Sequence, residues 1–221
     1  MLVLGIDPSL TNFGWALYDT EAPVGDPARC PARGRFSTPS DMEFVERYIS
    51  QRESLRSLIQ RVKPDKVGIE FPVFDQMYSE GMYGLFLYSC EALKLEKMDV
   101  VFWAPLQLKA RAREFISRPP GWKMEKPDMV ESAQVCTGIK MNHNEADAFF
   151  AGLLSASFWR FHGGEILESG LSPVEKKLFA NVHTYTRGKK AGKTVKTGMI
   201  YREDERFFLW SNTEMIDAPC S

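Results

Sequence analysis

The stretch "LVLGIDPSLTNFGWALYD", residues 2–19, decides the fold. Leu2 to Ile6 is a short β-forming run that stops at Asp7-Pro8-Ser9, and Gly14 to Asp19 resumes as a strand. Turn-forming residues between two such runs make a β-hairpin. A carboxylate, Asp7, stands where the first strand ends. Open α/β sheets build their sites at the carboxyl ends of strands, so Asp7 is the first candidate for chemistry.

The elements that follow alternate. Residues 20–40 are a Pro-, Gly- and Ala-rich loop with a third strand near "GRFS". From Asp41 to Val62 the apolar positions Val45, Tyr48, Ile49, Leu55, Leu58, Ile59 and Val62 recur at helical spacing, and Pro64 breaks the helix. "KVGIE" (66–70) reads as a buried strand ending in Glu70, 80–98 as a helix, and "DVVFWA" (99–104) as a strand. Pro105 opens a helix through Ile116, Glu125–Cys136 forms another, and "MNHNEADAFFAGLLSASFWRF" (141–161) is a long helix. The order β-β-β-α-β-α-β-α-α-α predicts an α/β fold with a mixed β-sheet flanked by helices over residues 1–162. From Gly163 to Ser221 the pattern changes. Polar residues alternate with β-branched and aromatic ones around a Gly/Lys-rich turn, which predicts a basic, β-rich C-terminal extension resembling a β-hairpin.

Composition bounds the function. A chain of 221 residues with 44% apolar and 26% charged residues is an ordinary globular domain with an appendage. No apolar run approaches the roughly 18–20 residues of a membrane helix, and the N-terminus reads as a strand rather than a signal peptide. The four cysteines are isolated, which argues against zinc and for reduced thiols in a cytoplasm. A net charge of −1 means that nucleic-acid binding must come from local patches.

Asp147 poses the sharpest question, because it lies where the last long helix begins to bury itself. A buried carboxylate needs a cation or a proton. At about 100° per residue, His143 and Asn144 share its helix face one turn earlier. Asp7, Glu70 and Asp147, with a neighbouring amide or imidazole, are the hard donors that one or two Mg²⁺ ions require. Taken singly, each has a plainer reading: Asp7 as a turn initiator, Glu70 as a lysine partner, Asp147 at the helix dipole, and Asn144 as an N-cap. Their joint order carries the weight.

The pieces "GIDPSLTNFGWALYD" (5–19), "VGIEFPVF" (67–74), "WAPLQLKARA" (103–112) and "HNEADAFFAGLLSA" (143–156) resemble the RuvC family of Holliday-junction resolvases, within the RNase H-like superfold. The resemblance covers about residues 1–160. It implies metal binding by Asp7, Glu70 and Asp147, with Mg²⁺ as the ion, Mn²⁺ as a substitute, and two ions per site. The family's fourth position falls on Asn144, where an acid or His is usual. Asn144, His143 or Glu145 fills that role, and the choice stays open. The resemblance also implies that Lys109 lies near the scissile phosphate, with a second lysine at Lys126 or Lys123. Residues 109–126 hold Lys109, Arg111, Arg113, Arg118, Lys123 and Lys126, a patch suited to a phosphate backbone.

After Glu70, "FPVFDQMY" is aromatic where a loop is expected. Phe71 and Phe74 either fold back into the core or wedge between unstacked bases. The family's aromatic falls on Val73 or Phe74, and Phe74 is the better candidate. The helix from Gly81 carries Met82, Leu85, Phe86, Ser89 and Leu93. That is an ordinary core stripe, although in the family this helix builds a homodimer. In the extension, Arg187, Lys189, Lys190, Lys193, Lys196 and Arg202 occur without an acid between 185 and 202, which favours a DNA-gripping hairpin.

The resemblance implies a Mg²⁺-dependent endonuclease cutting Holliday junctions or other branched DNA, in recombination, repair or debranching of replicated DNA. Its setting is a bacterial cytoplasm, or a host cytoplasm if the chain is virus-encoded. The alternative is a branched-DNA-binding protein with weak or no nuclease activity, because Asn144 replaces an expected acid. An actin-like phosphotransferase fits poorly, since no Asp-x-Gly occurs in the chain. "GKKAGKT" (188–194) is one residue short of a P-loop and lacks its strand-to-helix context.

Overall fold

Strand β1 (Leu2–Asp7) pairs antiparallel with β2 (Asn12–Asp19), Asp7 opposite Gly14, and β3 (Arg33–Ser37) adds antiparallel to β2. On the other side β4 (Lys66–Glu70) runs parallel to β1, Ile6 beside Ile69, and β5 (Val100–Trp103) runs parallel to β4. This computed structural model describes residues 1–71, 80–179, 182–184, 191–192, 194–196, 199–211 and 214–217. The parallel register carries straight on to Asp7 and Glu70 at adjacent strand ends.

One face of the sheet buries Leu4, Ile6, Val67 and Ile69 beneath α1 (Phe44–Val62) and α2 (Glu80–Leu95). The other face lies under α5 (His143–His162), flanked by α3 (Pro105–Ala112) and α4 (Lys126–Thr137). Helix α5 sits unusually low. A Cβ on Gly5 would come within 1.7 Å of the Ala148 carbonyl, and one on Gly68 within 2.1 Å of Ser155 Oγ. Glycine at these two positions lets the helix backbone rest on the strands, which brings Asp147 down to the level of Asp7 and Glu70. Trp103 Nε1 donates to Ser155 Oγ at 2.7 Å and satisfies both groups inside the core.

Several elements differ from the sequence expectation. Helix α1 starts at Phe44 rather than Asp41, and Val45 and Ile49 of its apolar pattern are exposed. Its end is as expected: Lys63 takes a left-handed conformation just before Pro64. Helix α2 stops at Leu95, and α3 stops at Ala112, with a 3₁₀ turn over Arg113–Phe115 replacing the predicted last turn. Asn142, not Asn144, caps α5: its side chain accepts from Glu145 N, and Glu145 accepts from Asn142 N, both at 3.0 Å.

The C-terminal segment begins with α6 (Pro173–Phe179), whose Phe179 is buried in the core. Strands β6 (Val182–Thr184) and β7 (Thr194–Lys196) form a separate antiparallel pair, the expected hairpin. Beyond it the chain rejoins the main sheet. β8 (Met199–Glu203) pairs antiparallel with β5, and β9 (Arg206–Ser211) and β10 (Glu214–Asp217) continue it, giving among the described residues eight strands in the order β10-β9-β8-β5-β4-β1-β2-β3. The sheet therefore runs across the division at residues 162 and 163. Among the described residues no helix is long and apolar enough to cross a membrane.

Candidate active site

Asp7 ends β1, Glu70 ends β4, and Asp147 projects from the second turn of α5. All three line one cavity of about 290 Å³, together with Ser9, Lys109, Lys126, His143 and Asn144. Two strand ends and one helix, far apart in the chain, thus converge.

The electrostatics bind the three acids together. Burial pushes the Asp7 carboxyl well above the usual range, and repulsion from Glu70 and then Asp147 adds to it, with Lys126 opposing. Glu70 rises to about 8 through burial and then the charge of Asp147, with Lys109 opposing. Asp147 rises to about 6 through burial, held down by Lys109 and Lys126. Each acid is only partly exposed, and that exposure is toward the cavity they line. Carboxylates crowded in this way hold protons unless a cation replaces them. His143 shifts downward through burial and then the neighbouring Lys126, which favours its neutral ring.

The donor set of three carboxylates, an amide and a neutral imidazole suits a hard divalent ion. Among the described residues no group of three or more His, Cys, Asp or Glu side chains stands arranged to hold an ion.

The candidates for the fourth donor separate. Glu145 points elsewhere: besides capping Asn142, its carboxylate pairs with Arg33 at 3.7 Å, and it does not line the cavity. Asn144 is buried, and its Nδ2 donates to the Asn12 carbonyl, leaving Oδ1 as its uncommitted atom. His143 also faces the cavity.

The basic patch divides as well. Lys109 and Lys126 line the cavity, whereas Lys123 is exposed in the loop before α4. Arg111 instead pairs with Glu175 at 3.0 Å and Glu114 at 2.8 Å, anchoring α6 to α3. Arg113 donates to the carbonyls of Pro119 and Trp122, and Arg118 pairs with Asp128 and Glu131. These three guanidiniums hold the fold rather than wait for a phosphate. Arg202, read as part of a DNA-gripping hairpin, is buried with Nη1 donating to the Met98 carbonyl at 2.8 Å. Phe71 folds inward, its ring 4.9 Å from Phe86. Val73, Phe74, Arg187, Lys189, Lys190 and Lys193 lie outside the described residues. Ser9 was not singled out from the sequence, although it sits in the same "GIDPS" turn as Asp7.

Fold and site together define an RNase H-like α/β protein with an acidic cavity at the carboxyl ends of its central strands. No family model matches the chain. It is 31% identical over 68 residues to the crossover junction endodeoxyribonuclease RuvC of Rhizobium etli, a match covering 31% of this chain and 38% of that protein. It is 29% identical over 113 residues to RuvC of Frankia alni, covering 50% of this chain and 56% of that one. The chain thus spans about two fifths to just over half the length of these curated relatives. A solved structure of Thermus thermophilus RuvC with a Holliday junction substrate superposes with a TM-score of 0.57 at 20% identity, covering 72% of this chain and 96% of the other. The chain is RuvC-like in fold, and part of its sequence is similar to RuvC proteins.

Proposed function

We propose that this chain is a structure-selective endodeoxyribonuclease that resolves Holliday junctions or other branched DNA by Mg²⁺-dependent phosphodiester hydrolysis, working as a homodimer. The observation that carries the reading is the convergence of Asp7, Glu70 and Asp147, with two lysines, on one cavity. The three acids, with Asn144 Oδ1 or His143, would hold one or two Mg²⁺ ions. An ion held there would supply Lewis-acid polarisation of a phosphoryl oxygen and a lowered pKa for an attacking water.

The remaining roles belong to the chain itself. Lys109 and Lys126 draw a phosphate into the cavity and face the charge that grows on its oxygens during attack. Lys109 opposes the charge of Glu70 and Asp147, and Lys126 that of Asp7 and Asp147. Close packing of α5 on Gly5 of β1 sets the level at which Asp147 enters the cavity.

The homodimer is supported by the outer side of α2, the helix to which the resemblance points, while its apolar stripe faces the core. Leu85, Phe86, Ser89 and Leu93 are buried against the core, and Met82 lines the cavity. Exposed apolar side chains on these helices are Tyr83, Leu87 and Leu95 on α2, and Phe44, Val45 and Ile49 on the packed neighbour α1. Such a face on a two-fold dimer suits a two-fold junction.

The test is incubation of synthetic four-way junctions with Mg²⁺ or Mn²⁺. Paired, symmetric nicks that disappear in Asp7→Asn and Glu70→Gln are expected. Junction binding without cutting in either metal, or full cutting by both variants, overturns the proposal.

A further inference from the structure

On the sheet edge, Arg35 belongs to the same cross-strand row as Asp7. Gly14 pairs with Asp7 on one side and with Arg35 on the other, so all three positions face the α5 side of the sheet. The face is fixed independently: a Cβ on Gly14 would come within 2.4 Å of the Asn144 carbonyl. The first turn of α5 therefore rests on the gap that Gly14 leaves, and Arg35 flanks that turn from beyond.

Its neighbours on the same face of β3 are committed. Arg33 donates to the Lys140 carbonyl at 3.3 Å and pairs with Glu145, and Ser37 donates to Asn12 Oδ1 at 3.3 Å. Arg35 is exposed and, among the described residues, has no hydrogen-bond or ion-pair partner. Among the described residues β3 ends the sheet and no further strand pairs with it. Across the molecule the order is then Lys109 after β5, Glu70 on β4, Asp7 on β1, and Arg35 two strands further on. Cations stand at both ends of the acidic pair.

Building on the proposed nuclease function, we infer that Arg35 is a substrate-positioning residue, gripping a backbone phosphate of the cleaved strand on the side of the cavity opposite Lys109. Two strand spacings of about 4.8 Å put it roughly 10 Å from Asp7. A guanidinium there fixes which phosphate enters the cavity while taking no part in its chemistry.

The test compares full-length wild type, Arg35→Gln and Arg35→Lys. Junction binding is read across a salt series in an Asp7→Asn background, and cleavage kinetics in the native background. Arg35→Gln is expected to lower the slope of log affinity against log salt by about 0.7–0.9. It is also expected to raise KM about tenfold with a much smaller change in kcat. Arg35→Lys should retain the salt slope, and thermal melting should match wild type for both, as befits an exposed side chain. An unchanged salt slope and KM in Arg35→Gln, with wild type binding and cutting normally, overturns this inference and leaves the nuclease function standing. Failure of the wild type itself to bind junctions overturns both.

Discussion

Asn144 donates its side-chain N–H to the main-chain carbonyl of Asn12, tying the first turn of α5 to the strand that pairs with β1. The bond commits the amide nitrogen, so the carbonyl oxygen is what Asn144 offers the cavity. An aspartate cannot make this bond, and it adds a fourth negative charge beside three carboxylates that already repel one another. Asn144→Asp is therefore expected to melt several degrees lower in EDTA, corresponding to about 1–3 kcal/mol. The deficit should shrink with millimolar Mg²⁺. An unchanged melting temperature in EDTA would show that the bond does not support the fold.

The acidic cavity should make the metal-free protein less stable as pH rises. The folded-state pKa values of about 8 for Glu70 and about 6 for Asp147 lie above the unfolded values. The folded chain thus holds protons that the unfolded chain gives up. Stability is full below the unfolded carboxylate range of about 4 and is lost as pH climbs through 6 and 8. Glu70→Gln should then melt a few degrees above wild type at pH 8 in EDTA and equal it at pH 4. A lower melting point for the variant at pH 8 would reverse the sign and refute the crowding.

Close approach of α5 to the sheet rests on the missing side chain at Gly68, where an added Cβ would also lie 2.4 Å from the Ala151 carbonyl. Backbone cannot yield as a flexible side chain can. Gly68→Ala should lose about 2–4 kcal/mol in urea unfolding, at or above the upper end for overpacking. A loss below about 0.5 kcal/mol, the level of a neutral surface change, would mean that the helix lifts freely.

Arg111 and Lys109 lie two residues apart on α3 and should behave oppositely. Glu175 is 4% exposed and accepts from Arg111 Nε at 3.0 Å, Ser157 Oγ at 2.7 Å and Ser172 N at 2.8 Å. Arg111→Ala strands that carboxylate and is expected to cost about 3 kcal/mol of stability. Lys109→Ala should leave unfolding near wild type and reduce junction cleavage by about 10²-fold. Equal stability of the two variants would contradict the assignment of Arg111 to the fold.

What the sequence revealed and concealed divides along one physical line. The hairpin, the parallel strands and the three acids were legible because each rests on short-range patterning: β-forming runs, turn residues, and carboxylates at strand ends. Pairing between distant segments was not. "GMIYRED" looks like any half-buried strand, and nothing in it announces that β8 will pair with β5. Six basic residues between 109 and 126 look like one patch, yet Arg111 is paired with Glu114 and with Glu175 on α6, a helix from the C-terminal segment. Asn142 and Asn144 are equally good caps on paper. Only the three-residue spacing from Asn142 to Glu145 completes the reciprocal bonds, a signal that was present but not singled out.

The central claim is that Asp7, Glu70 and Asp147 jointly hold a divalent ion, and Mn²⁺ titration followed by electron paramagnetic resonance tests it most directly. Wild type is expected to bind one or two Mn²⁺ per chain, competed by Mg²⁺, with affinity falling at least about tenfold in each of Asp7→Asn, Glu70→Gln and Asp147→Asn. Undiminished Mn²⁺ binding in all three single variants contradicts it.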